Sequence, residues 1–241
     1  TYGRTYKTTD GGVTWHEQPV LRALGVTIQF WNDLEGFAVG TSSTDEGRLV
    51  FFRTADGGFT WKPCYDVPLM PGEFQWLFNF NNHIEIVGNN AWTGTRFGRL
   101  VKTSDRGRTW QVYDTPIPEG RALSSIAFKD ELNGIAISSS ISNGPDNATL
   151  GYRTTDGGLT WQQMALPSDI LGIEAVPNSG GVYLAMRAAS LNPSYLLSTD
   201  NGLSWERFEA PLLLTMDMVS PTVGWAGGIV PLGGLYRWEG E

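Results

Sequence analysis

Cysteine is almost missing from this chain: Cys64 stands alone among 241 residues, so neither an intramolecular disulfide nor a multi-cysteine zinc site can form. Histidine is nearly as scarce. His16 and His83 fall in different stretches with no ligand-spaced partner, so no metal and no cofactor is expected. Charged residues make up only 17% of the chain, and 25 acidic against 17 basic side chains give a net charge of -8. That balance excludes a basic nucleic-acid binder. No apolar run approaches the roughly 18 residues that a membrane-spanning helix needs, and no segment keeps a helical period. The chain opens at Thr1 without a charged-then-apolar leader, as expected of a trimmed chain or a processed product from which any export signal has been removed.

What the chain has in quantity is glycine, at 30 residues, with ten tryptophans and eleven phenylalanines. This composition predicts a turn-rich protein with a large aromatic interior. The string Thr8-Thr9-Asp10-Gly11-Gly12-Val13-Thr14-Trp15 returns at 54–61, 103–110, 154–161 and 198–205, always as Ser/Thr-x-Asp-x-Gly-x-Thr/Ser-Trp. Its aspartates, Asp10, Asp56, Asp105, Asp156 and Asp200, lie about 44 to 51 residues apart, the period of a four-stranded propeller blade. Between the second and third copies the apolar runs read as strands at 73–80, 84–88, 99–103 and 109–113.

Each acidic turn explains itself without a ligand. An Asp carboxylate in a tight hairpin accepts from backbone amides a few residues on, and the glycine supplies a positive φ. Its tryptophan, Trp15, Trp61, Trp110, Trp161 or Trp205, starts a fourth strand and packs against a neighbouring blade. The five carboxylates are therefore read as fold staples. The expected architecture is a single all-β domain over 1–241, a propeller of five four-stranded antiparallel blades, the alternative being a fragment of a six- or seven-bladed ring. Closure is expected from one composite blade, combining amino-terminal strands at 3–8 and 14–19 with carboxyl-terminal strands at 212–218, 223–227 and 235–238.

The repeated turn resembles the Asp-box, or BNR, repeat of sialidases, xyloglucanases, sortilin-type receptors and the photosystem II assembly/stability factor family. The last is most similar in texture: a phrase such as Asp33-Leu34-Glu35-Gly36-Phe37-Ala38-Val39-Gly40 precedes a turn such as Arg53-Thr54-Ala55-Asp56-Gly57-Gly58, with related phrases at 130–138 and 220–228. The resemblance implies a non-enzymatic, extracytoplasmic module (secreted, periplasmic or at the cell surface), in a family whose members typically have seven blades. The sialidase pattern is incomplete. No Arg-Ile-Pro occurs, and the expected inner strands carry Gln29, Asn79, Ser125 and Asp217 but no arginine.

Function is expected on the face opposite the acidic turns, in the loops 17–25, 40–48, 63–73, 88–99, 114–121, 138–150 and 187–194. Arg22, Arg48, Arg96, Arg99, Arg121 and Arg187 fall in or beside these loops and form a candidate anion-recognising surface, unless Asp45, Glu46, Glu73, Asp114 and Glu119 pair with them. Trp92, placed in the 88–99 loop, either stacks on a sugar or protein partner or plugs the ring. The partner is a protein or a glycan, the chain itself a monomer. If the chain is instead a glycoside hydrolase, Glu174 and Asp217 on inner strands are its candidate acid and base. Aligning Phe30, Phe80, Phe128, Val176 and Met218 puts Glu174 in an apolar row, and a register slip of one residue would turn it toward the channel. Asn147-Ala148-Thr149 fits a glycosylation acceptor that matters only in a eukaryotic secretory pathway. Cys64 reads as a small packed residue.

Overall fold

Strands form where apolar and polar residues alternate between glycine-bearing turns, and every element among the described residues is a strand. The computed structural model describes residues 5–18, 21–42, 47–74, 83–140, 149–167, 170–187, 194–208, 215–227 and 234–239. Blade 1 comprises β3 (Leu24–Phe30), β4 (Gly36–Thr41), β5 (Leu49–Thr54) and β6 (Lys62–Cys64). Blade 2 comprises β7 (Ile84–Val87), β8 (Asn90–Gly94), β9 (Leu100–Thr103) and β10 (Gln111–Tyr113). Blade 3 comprises β11 (Arg121–Phe128), β12 (Gly134–Ser140), β13 (Leu150–Thr154) and β14 (Gln162–Met164). Blade 4 comprises β15 (Ile170–Ala175), β16 (Tyr183–Arg187), β17 (Ser194–Ser198) and β18 (Glu206–Phe208). Blade 5 comprises β19 (Thr215–Ser220), β20 (Val223–Gly227) and β21 (Leu235–Glu239), and a short hairpin of β1 (Tyr6–Lys7) and β2 (His16–Glu17) precedes the ring.

Within each blade consecutive strands pair antiparallel, and the first strands β3, β7, β11, β15 and β19 pack against one another in chain order. The result is a five-bladed β-propeller. Its apolar core lies between blades rather than within one sheet. Phe37, Val39 and Phe51 of blade 1 meet Ile84, Val101 and Trp110 of blade 2. Trp92 and Leu100 of blade 2 meet Ile126 and Phe128 of blade 3, and Ile135 and Ile137 of blade 3 meet Ile170 and Ile173 of blade 4.

The short phrase before each second strand has a steric reason. Gly36 and Gly134 open β4 and β12 directly opposite Phe30 and Phe128, and a Cβ at either glycine would come within 2.6 Å of the facing ring. The turn is held by a side-chain cap: Asp130 Oδ1 accepts from the amides of Leu132 and Asn133 at 2.9 and 2.7 Å, and Asn32 does the same for Leu34 and Glu35.

Blade 2 lacks that phrase, and there the structure departs from the sequence reading. Its first strand is β7, read from the sequence as the second, and the segment 88–99, read as a loop, contains β8. A two-residue turn at Gly88-Asn89 leads straight into β8. Trp92 therefore lies in a central strand. It is fully buried, stacked on Phe128 at 3.9 Å, and it donates Nε1-H to the Gly157 carbonyl at 3.0 Å. Residues 75–82, including Phe78, Asn79 and Phe80, lie outside the described residues, as does Asn147.

Among the described residues the amino- and carboxyl-terminal strands do not share a sheet. β21 takes the third place beside β20, while β1 and β2 pair with each other and, among the described residues, with no strand of blade 5. The hairpin instead abuts blade 1, where Lys7 Nζ donates to the Gly57 carbonyl.

Trp92→Ala should lower unfolding free energy by about 3 to 5 kcal/mol, whereas Trp15→Ala, at a residue 59% exposed, should cost under about 1 kcal/mol. Urea titration of the two variants checks this, and equal costs would contradict the inter-blade placement of Trp92.

Candidate functional site

The acidic turns are saturated by their own residues. In blade 1, Thr54 Oγ1 accepts from the Gly58 amide at 2.9 Å and donates to Asp56 Oδ1 at 2.8 Å; Asp56 then accepts from the Thr60 amide at 2.9 Å and its hydroxyl at 2.5 Å. The same circuit runs through Asp10, Asp105, Asp156 and Asp200. Hydrogen bonds to the ionised form hold Asp10, Asp56 and Asp200 down at about 2. Trp15, Trp161 and Trp205 donate back to their own turns at Gly12, Gly158 and Gly202, while Trp110 packs on Phe37 and Phe51 of blade 1 and Trp61 meets Phe30 edge-on. Among the described residues no group of three or more His, Cys, Asp or Glu is placed to hold a metal ion.

On the opposite rim the predicted arginines do not form one patch. Arg48 donates to the carbonyls of Val67 and Leu69 at 3.1 and 3.4 Å, bracing the 63–73 loop. Arg121 is buried in β11 and donates to Ser138 Oγ at 3.2 Å and the Ser138 carbonyl at 3.0 Å. Arg187 is half-buried at the end of β16. Only Arg96 and Arg99 come together. They line a groove of about 570 Å³ with Met70, Phe97, Asp114 and Glu119. Arg99 is committed to Glu73, a fully buried loop carboxylate rather than a strand residue, through a two-point ion pair that includes an Nε–Oε1 contact of 3.0 Å. Arg96 lies over the rings of Phe74 at 4.4 Å and Phe97 at 5.6 Å, and its Nε is buried without an acceptor.

A larger cleft, of about 700 Å³, opens on the turn side between blades 1 and 2. Two arginines that line it, Arg53 and Arg108, are already engaged. Glu35 binds Arg53 at 2.6 Å, Arg106 at 2.7 Å and Arg108 at 3.3 Å, while Asp56 is saturated by its own turn. Arg106 holds a left-handed φ of 58° where the other turns place Gly or Asn, a conformation costing about 1 to 2 kcal/mol that its contacts to Glu35 and Asn89 offset. Cys64, half-buried on this cleft, has its thiol pKa raised by burial.

At the axis, Ala175 rather than Val176 is the residue that aligns with Phe30, Phe128 and Met218, because it pairs with Tyr183 as they pair with Gly36, Gly134 and Gly224. The slip of one residue is real. It puts Glu174 in one row with Gln29, Glu85, Ala127 and Asp217. Glu174 Oε1 accepts from the Met218 amide at 3.2 Å, and Glu85 Oε2 accepts from the Phe128 amide at 3.3 Å, so each clasps the next blade. Glu85 keeps some exposure to the channel, yet the protein around its carboxyl desolvates it, and with Asp217 nearby its pKa is pushed up to about 8. Burial, then the charges of Glu85 and Asp217, raise Glu174 well above the usual carboxylate range. Sequence reasoning missed Glu85 because β7 was read as the second strand of blade 2 and not as its first; the Gly88-Asn89 doublet was the signal available.

The fold and these features define a class: an all-β propeller whose blades are closed by repeated acidic turns, with a mixed apolar and cationic groove on one rim. No family model matches the chain. It is 27% identical over 197 residues to the photosystem II assembly protein Ycf48 of Synechococcus sp. (strain JA-2-3B'a(2-13)), covering 78% of this chain and 53% of that protein. The chain thus spans about half the length of the curated relative it matches. A solved structure of YCF48 bound to D1 peptide superposes with a TM-score of 0.63 at 19% identity, covering 99% of this chain and 73% of that one. The GH74 enzyme of Niastella koreensis superposes at 0.66 with 13% identity, covering 96% and 40%, which shows a shared fold alone. The chain is a five-bladed propeller similar to Ycf48-type photosystem II assembly proteins.

Two groups of carboxylates set opposite pH limits. The turn aspartates, lowered from 3.8 to about 2, contribute stability above their unfolded value that is lost as pH falls through the folded one. Glu85, raised from 4.5 to about 8, favours the fold at low pH and loses that contribution as pH rises through about 8. Urea midpoints should therefore decline on both sides, with Glu85→Gln flattening the alkaline limb and Asp56→Asn the acid one. An alkaline limb unchanged in Glu85→Gln would contradict the axial assignment.

Proposed function

We propose that this chain is a non-enzymatic binding and assembly module that holds a protein partner in the rim groove opposite the acidic turns. The observation that carries the proposal is Arg96: a guanidinium resting on Phe74 and Phe97, with a buried and unsatisfied Nε, beside the 47%-exposed Met70 and the 42%-exposed Phe97. Exposed apolar area next to an arginine with donors to spare is the composition of a protein-docking surface. The similarity to a photosystem II assembly protein, and the peptide held by a propeller of the same fold, support this reading. On the same resemblance we place the protein outside the cytoplasm, acting as a monomer, which compartment fractionation and light scattering would check. A glycan partner is less favoured because Trp92, the ring that would have stacked on sugar, is buried.

Arg96→Glu should weaken capture of the partner at least ~10-fold while leaving the melting temperature within a degree or two. Arg99→Glu should lower it by several degrees, because it leaves the carboxylate of Glu73 buried and unpaired. Pull-downs and thermal melts of both variants test this, and capture unaffected by Arg96→Glu would remove the groove from consideration. The wild-type protein should release no sugar from sialosides or β-glucans; turnover abolished by Glu174→Gln or Asp217→Asn would establish the glycosidase reading instead.

A further inference from the structure

The axial row of Gln29, Glu85, Glu174 and Asp217 is not explained by partner docking on the rim. It lies one to three residues before the first strands end, on the side of the ring that carries the acidic turns and away from the groove of Arg96. Glu85, Glu174 and Asp217 come from blades 2, 4 and 5, yet their charges act on one another, so they converge on the axis. Among the described residues none of them makes an ion pair with a basic side chain. The one basic residue in the five first strands, Arg121, is committed to Ser138.

Two unsatisfied atoms point to a missing donor. Glu174 is only 5% exposed, and while its Oε1 accepts from Met218, its Oε2 is buried without a partner. In the same row Gln29 Oε1, a neutral amide oxygen, is likewise buried and unpartnered. Buried acceptors without donors are costly, and convergent carboxylates more so. Among the described residues no three carboxylates are grouped to hold one metal ion, which favours a donor with several N–H groups on an extended frame. Asp217 is exposed and leaves the row open to solvent.

We propose that Gln29, Glu85, Glu174 and Asp217 form an axial binding site for an organic cation, a guanidinium or primary ammonium group, supplied either by a free small molecule or by a basic side chain of a partner. In the empty ring the same crowding is relieved by protons. Glu85 stays protonated up to about pH 8, with Glu174 and Asp217 facing it and Tyr183 close enough to feel its charge. Cation uptake near neutral pH therefore expels a proton, and affinity rises as pH rises.

Isothermal titration of the full chain with methylguanidinium, spermidine and a capped Gly-Arg-Gly peptide, against neutral methylurea, tests the site. At about pH 7, buffers of different ionisation enthalpy should reveal protons released on cation binding, fewer once pH passes about 8 and Glu85 is ionised beforehand. Saturable binding of methylguanidinium or spermidine supports a small-molecule ligand, binding of the peptide alone supports a partner's side chain, and methylurea should not bind. Glu174→Gln and Asp217→Asn should each lower affinity at least ~10-fold. Asp217 is exposed, so its variant stays informative even if Glu174→Gln unfolds. Absence of saturable binding by all three cations, or binding undiminished in Asp217→Asn, overturns the proposal.

Discussion

The ring depends on how the backbone of each acidic turn is satisfied from outside as well as within. Inside the turn, Thr and Asp side chains close a hydrogen-bond circuit that fixes the third-to-fourth hairpin. The amide two residues after Asp56, Asp105, Asp156 or Asp200 is anchored by hydroxyl, and the residue following each aspartate donates its amide to the first-to-second turn of the same blade: Gly57 to Leu34, Arg106 to Asn89, Gly157 to Leu132 and Asn201 to Gly181. The carbonyl of that same residue is then taken by the blade before or, for Gly57, by the amino-terminal hairpin. Lys7 reaches Gly57, Arg53 reaches Arg106 at 3.0 Å, and Lys102 reaches Gly157 at 2.9 Å. One turn residue thus ties two hairpins of its blade and the neighbouring blade together, and the cation that does so always sits immediately before the Thr that opens its own turn.

The same chemical group behaves in opposite ways at the two places where this ring collects it. A turn carboxylate accepts several N–H and O–H bonds in contact with water, and its pKa falls. An axial carboxylate is buried among other carboxylates, and its pKa rises. Neither effect is chosen by residue type; both follow from whether donors or like charges surround the oxygen. The staples therefore have nothing left to offer a ligand, while the axis has acceptors without donors and the rim has a donor, Arg96, without an acceptor. Capacity for binding lies where the repeat leaves its polar groups unfinished.

Blade 2 shows where pattern reading fails. Ala91 stands where blades 1, 3 and 5 have Gly36, Gly134 and Gly224, and Ile86 where they have Phe30, Phe128 and Met218, so the phrase that marks the first hairpin in those blades is absent. An apolar, aromatic-rich run just upstream was taken for the first strand, so Glu85 passed for a second-strand residue and Trp92 for a loop residue, while the strands read at 99–103 and 109–113 fall on β9 and β10. The pairing of Ala91 with Thr103 restores the register, because the acidic turn itself was never in doubt. The rim arginines failed for a different reason. Spacing placed them near one another, but whether Arg99 meets Glu73, or Arg121 meets Ser138, depends on partners about 17 to 26 residues away whose approach is a matter of packing.

The sequence alone determined the class of fold, the approximate blade length and the structural character of Asp10, Asp56, Asp105, Asp156 and Asp200, because each of these rests on contacts within eight consecutive residues. The tertiary structure decided which polar groups meet across blades, the order in which the termini pack, and the gathering of Glu85, Glu174 and Asp217 on one axis. Those outcomes require residues far apart in the chain to share a low-dielectric neighbourhood, and no local pattern encodes the distance between them.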